Sequence, residues 1–154
     1  MTAIVHVRYS RPNARHAALI RRAAGAAIEL AGPPQAELTV VLTDEAGIRR
    51  LNERFAGQAH ATDVLSFPAE IQDPDSGLPY LGDVVISLSA AEAQAGPGGH
   101  PLVDELMLLC VHGVLHLLGH DHGDPGSREW MWSVQAEVLR RLGSQITFPA
   151  EAPG

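Results

Sequence analysis

Apolar and polar positions alternate with period two over residues 3–9, AIVHVRY, and that alternation predicts a strand. Residues 13–31 then switch to helical spacing, with Leu19, Ile20, Ala23, Ala24, Ala27, Ile28 and Ala31 on one side and GPP as the stop. ELTVVLT at 37–43 is β-branched and apolar, the pattern of a buried strand. Thr43 is the expected N-cap of a short helix, DEAGIRRLNERF, whose acids fall in the first turn where the helix dipole favours them. After a loop, AGQAHA, the segments TDVLSFPAE (62–70) and LGDVVISLS (81–89) read as strands joined by the turn residues DPDSG, which predicts an antiparallel hairpin.

The second half is helical in pattern. LSAAEAQAG opens a helix that GPGG closes, and PLVDELMLLCVHGVLHLLG (101–119) has Pro101 at its start and Gly119 at its end. The latter segment is apolar on nearly every face, as a central buried helix is. DPGSREWMWSVQAEVLRRLG forms a last helix, with Trp130, Met131, Val134, Val138 and Leu142 as its core-facing stripe. Residues 143–154 are expected to be a loosely held tail. Together these elements predict an α+β fold in a single domain spanning 1–154: a small mixed β-sheet with a hairpin, packed against about five helices. A chain of 154 residues buries roughly 68–70% of its unfolded surface, enough for a real core. The N-terminus lacks the apolar stretch of a signal peptide, and no apolar run approaches the length of about 20 residues that spans a bilayer. The expected location is therefore the cytoplasm, with no membrane partner.

Charge narrows the picture. The net charge of −7 argues against tight non-specific binding to polyanions, which depends on Lys and Arg neutralising phosphates. There is no lysine, and eight of the 11 arginines fall in the first 54 positions, as a solvated face or a local basic patch. The lone cysteine, Cys110, sits inside LMLLCV and reads as a buried core thiol.

Residues 112–122, HGVLHLLGHDH, hold four of the eight histidines. His112 and His116, four apart, project from one helix face about 6 Å apart along the axis, close enough to reach one ion. His120 on the same straight helix would lie about 12 Å from His112 along the axis, against Zn–N bonds of about 2.0–2.1 Å, so a third ligand requires the chain to turn. Gly119 is where it can turn, and His120 and His122 are the residues beyond it. An unpaired imidazole inside an apolar helix is costly, which favours metal ligation at His112 and His116. Three histidines leave the open coordination position of a catalytic centre. The spacing also matches metzincin proteases, but those need Glu directly after the first histidine, and here that residue is Gly113.

HGVLHLLGHDH, with LN (51–52), TDVLSFP (62–68) and LGDVVIS (81–87) upstream, resembles the YbeY family of bacterial metal-dependent endoribonucleases acting in ribosomal RNA maturation. The resemblance covers roughly residues 37–142. It implies His112, His116 and His122 as metal ligands, with His120 at a variable position, and zinc as the metal, one Zn2+ per chain. It also implies single-stranded RNA as substrate and association with the small ribosomal subunit or its assembly factors, and DNA is not an expected partner. One departure stands out: the family has an aromatic-Arg pair after LN, and here Phe55 is followed by Ala56. Arg54 is then either the substitute cation or an exposed helix residue.

A metal lowers the pKa of water to about 7 and polarises a phosphoryl oxygen, so phosphodiester hydrolysis suffers less than proteolysis from the absence of a glutamate. Asp121 reads either as a partner orienting a ligand imidazole or as a turn cap. Asp63 and Asp83 fit turn or sheet-edge roles better than catalysis, and Ser66 has no triad around it. The expected function is a single-strand-specific, metal-dependent endoribonuclease. The alternatives are a ribosome-assembly factor with a structural metal and little nuclease activity, and a metallohydrolase of a small substrate.

Overall fold

In a computed structural model the described residues are 2–9, 16–55, 63–99, 101–119 and 125–144. Their elements run β1 (Thr2–Tyr9), α1 (Ala17–Ala31), β2 (Gln35–Thr43), α2 (Glu45–Phe55), β3 (Val64–Gln72), β4 (Pro79–Ser87), α3 (Leu88–Gly98), α4 (Leu102–Leu117) and α5 (Pro125–Arg141). The sheet order is β1-β2-β4-β3. β1 pairs parallel with β2, β2 parallel with β4, and β3 antiparallel with β4, so the mixed sheet and its hairpin are as expected. Parallel neighbours need a crossover, and α1 provides the one between β1 and β2.

The core lies between one sheet face and the helices. Ala36, Leu38, Val40 and Leu42 alternate along β2, join Val84 and Ile86 of β4, and form one apolar cluster with Ile20 and Ile28 of α1 and with Leu106, Val111, Val114 and Leu115 of α4. Ala23, Ala24 and Ala27 are fully buried on α1, small enough for that helix to lie close to α4. The intervening β2 positions carry a polar layer. Glu37, only 4% exposed, is bonded to His6 Nε2 and accepts from Ser76 Oγ at 2.6 Å. Tyr80 Oη lies 2.7 Å from Thr39 Oγ1 and donates to Asp83 Oδ1 at 2.5 Å. Burial, and then the Asp83 carboxylate, push the Tyr80 phenol above its ordinary value.

Two expectations change. Thr43 is not the cap of α2: it remains in the ladder opposite Ser87, so Asp44 is the residue left at the helix start, accepting from Gly47 N–H at 2.7 Å. Trp130 is 43% exposed, whereas Met131, Val138 and Leu142 are buried as expected. α3 ends within GPGG as expected, running through Pro97 to Gly98 with Gly99 in the left-handed conformation as its cap. Residues 13–15, assigned to the first helix, and the tail from 145 onward lie outside the described residues. No described helix is long and apolar enough to cross a membrane.

Candidate functional site

α4 is the buried helix that its composition predicts. From Asp104 to Leu117 every residue is buried except His112 and His116. Four residues apart, they share a face, and that face is where the helix meets less protein. Their Nε2 atoms approach to 3.1 Å and their ring centroids to 4.6 Å, with the planes at 71°. Two nitrogens bound at about 2.0–2.1 Å to one tetrahedral ion are about 3.3–3.4 Å apart, so this pair fits a shared metal with little adjustment.

The other nitrogen of His112 is also engaged. Nδ1 lies 3.1 Å from Oε1 of Gln135, a fully buried residue of α5. With Nδ1–H donating to that oxygen, the Nε2 lone pair is directed toward His116, as ligation requires. Helical spacing holds a signal for Gln135, which falls four residues after Met131 and three before Val138 on the apolar stripe of α5, and among the described residues of that helix it is buried with Met131, Val138 and Leu139.

Gly113 positions the pair against the sheet. A Cβ there would lie 2.5 Å from Val84 Cγ1 and 3.1 Å from Val64 Cγ2, so only glycine lets α4 approach β3 and β4 this closely. Ser66 of β3 donates to the Gly113 carbonyl at 2.8 Å, which ties the strand to the helix between the two histidines. This bond gives Ser66 a structural job, in line with the absence of a nucleophilic triad.

Gly119 has φ +93, the left-handed turn expected of it, and its N–H donates to the His116 carbonyl at 3.0 Å. His120, Asp121 and His122 follow directly but lie outside the described residues, as does Ala56. Among the described residues no group of three or more His, Cys, Asp or Glu side chains forms a metal-binding set. Arg54 is exposed in the last turn of α2, a helix packed on β3, β4 and α3. Asp63 accepts Ser87 N–H through its carbonyl at 2.9 Å, and Asp83 holds Tyr80 as described above, so both serve the sheet. Cys110 is fully buried and its thiol is pushed up to about 12 by desolvation, the inert core thiol its setting suggested.

Comparison with known proteins matches residues 7–143 to the family described as Endoribonuclease YbeY. Relatives bearing that name include one from Gloeobacter violaceus, 45% identical over 130 residues that make up 82% of this chain and 67% of the relative. Another, from Pelotomaculum thermopropionicum, is 46% identical over 128 residues, 80% of this chain and 84% of the relative. The solution structure of TM1509 from Thermotoga maritima shares the fold, with a TM-score of 0.64, 23% identity, and coverage of 90% of this chain and 89% of that one.

Proposed function

Because the chain belongs to the endoribonuclease YbeY family and is thereby an RNA-hydrolysing enzyme, we propose that it works through one divalent metal ion held by His112, His116 and His122. The observation that carries the reading is the 3.1 Å approach of the His112 and His116 Nε2 atoms on a helix otherwise buried from Asp104 to Leu117. Zinc suits three imidazoles, and the proposed metal is one Zn2+ per chain. When bound, such an ion supplies an activated water at neutral pH and polarises a phosphoryl oxygen.

The chain's own residues do the rest. Gly113 and Ser66 seat the two helical histidines on the sheet, and Gly119 turns the chain so that His122 follows within three residues. Phosphodiester cleavage builds negative charge in the transition state, which calls for a cation. Ala56 offers none, and Arg54, exposed on α2, is proposed for that role. Glycine at position 113 leaves no carboxylate beside the first histidine to act as a protease base, which favours phosphodiester over peptide hydrolysis.

The proposed substrate is single-stranded ribosomal RNA in the cytoplasm, encountered on the small ribosomal subunit or with its assembly factors. The test is cleavage of a single-stranded RNA and its duplex by the purified full chain, before and after chelation and zinc return. Loss of single-strand cleavage on chelation and recovery with zinc is expected. Cleavage that persists in metal-free protein would overturn the proposal.

A further inference from the structure

We propose that Gln135 is a positioning residue that sets the tautomer of His112 and thereby the affinity of the site for its metal. The assignment rests on the metal-site reading above and deepens it. Three observations converge. Gln135 is fully buried on α5 among Met131, Val138 and Leu139, where a leucine or methionine of similar volume would pack with no polar cost. Its Oε1 lies 3.1 Å from His112 Nδ1, and His112 Nε2 in turn lies 3.1 Å from His116 Nε2. Its Nε2 is buried with no hydrogen-bond partner among the described residues. The amide therefore sits in the core with one end on His112 and the other end without a partner among the described residues, an arrangement that packing alone does not favour.

The chemistry follows from the two nitrogens of the imidazole. A neutral histidine ligates through the nitrogen that lacks a proton, and the hydrogen bond at the other nitrogen decides which one that is. An acceptor at Nδ1 holds the proton there and leaves the Nε2 lone pair facing His116. Without the acceptor, the proton is free to move to Nε2 and occupy the position the metal needs. An oxygen at Nδ1 also raises the basicity of the ring as a ligand.

The test compares the full wild-type chain with Gln135→Leu and Gln135→Glu. Zinc affinity is measured by competition with a chelator, the thermal midpoint is measured at saturating zinc, and the His112 Nδ1 proton is followed by long-range 15N–1H NMR of the zinc-loaded protein. Gln135→Leu is expected to bind zinc about 10- to 100-fold more weakly. Its thermal midpoint at saturating zinc should stay near that of wild type, because loss of the unpartnered amide nitrogen offsets loss of the bond to His112 Nδ1, and its Nδ1 proton should exchange rapidly. Gln135→Glu, which still presents an oxygen, should retain both tight binding and the protected proton. A purely packing role would instead lower the thermal midpoint of both variants and leave zinc affinity in place. Wild type that takes up no zinc overturns the site reading and this assignment with it. Wild type that binds zinc while Gln135→Leu matches its affinity overturns this assignment alone.

Discussion

Gly113 of α4 lies so close to Val84 of β4 that a methyl group on it would sit 2.5 Å from Val84 Cγ1. The helix that carries His112 is thus set on the sheet by the absence of a side chain one residue away. Gly113→Ala gains helix propensity of about 1 kcal/mol but must push α4 from β4, an overpacking cost of about 1–3 kcal/mol or more for a contact this short. The expected result is a lower denaturation midpoint together with weaker metal binding. Val84→Ala should cost less in the Gly113→Ala background than alone, because it removes the clashing methyl. Chemical denaturation of the four proteins in the cycle checks this, and simple additivity would contradict the contact.

Cys110 should behave as core. With its thiol fully buried and pushed up to about 12, almost none is thiolate at neutral pH. A thiol-labelling reagent should leave the native protein unmodified and react after denaturation. Rapid labelling of the native protein would contradict the burial.

Arg54→Ala is expected to lower RNA cleavage by about 100-fold, the scale of one lost electrostatic partner, and to leave the metal content unchanged. The paired measurement is turnover on single-stranded RNA beside metal analysis of the same sample. Unchanged turnover would make Arg54 an exposed helix residue and nothing more.

The turn of the β3–β4 hairpin should weaken in acid. The backbone N–H groups of Asp75 and Ser76 bond the Asp73 carboxylate and hold it below its ordinary value of 3.8. A depressed folded-state value means that this support is present at pH above the ordinary value and is lost as pH falls through the lowered one. The stability difference between wild type and Asp73→Ala should therefore be constant near neutrality and shrink as pH falls below the ordinary value of 3.8. Urea midpoints of the two proteins across that range measure it, and a difference that grows with acid would contradict the sign.

Much of this was legible in the chain because single-residue chemistry announces it. Alternation in β2, the all-apolar run of α4 and the turn residues of the hairpin each report a period or a backbone need, and the corresponding elements formed. His112 and His116 were legible for the same reason, since helical spacing of four is a local rule. What escaped the sequence was set between elements. Thr43 has the chemistry of a cap, yet pairing with Ser87 keeps it in the sheet and passes the role to Asp44. Trp130 has the right spacing for the core stripe, but α5 turns it outward. Gly113 looked informative for the carboxylate it lacks, whereas its contact with Val84 depends on how closely α4 meets a strand almost thirty residues upstream. Gln135 touches His112 only because α5 packs on α4.

The measurement that tests the central claim most directly is metal stoichiometry by equilibrium dialysis of the full wild-type chain beside His112→Ala, His116→Ala and His122→Ala. One equivalent of zinc in wild type and its loss from each variant is the predicted result. A variant that remains folded and keeps the full equivalent would contradict the three-histidine site.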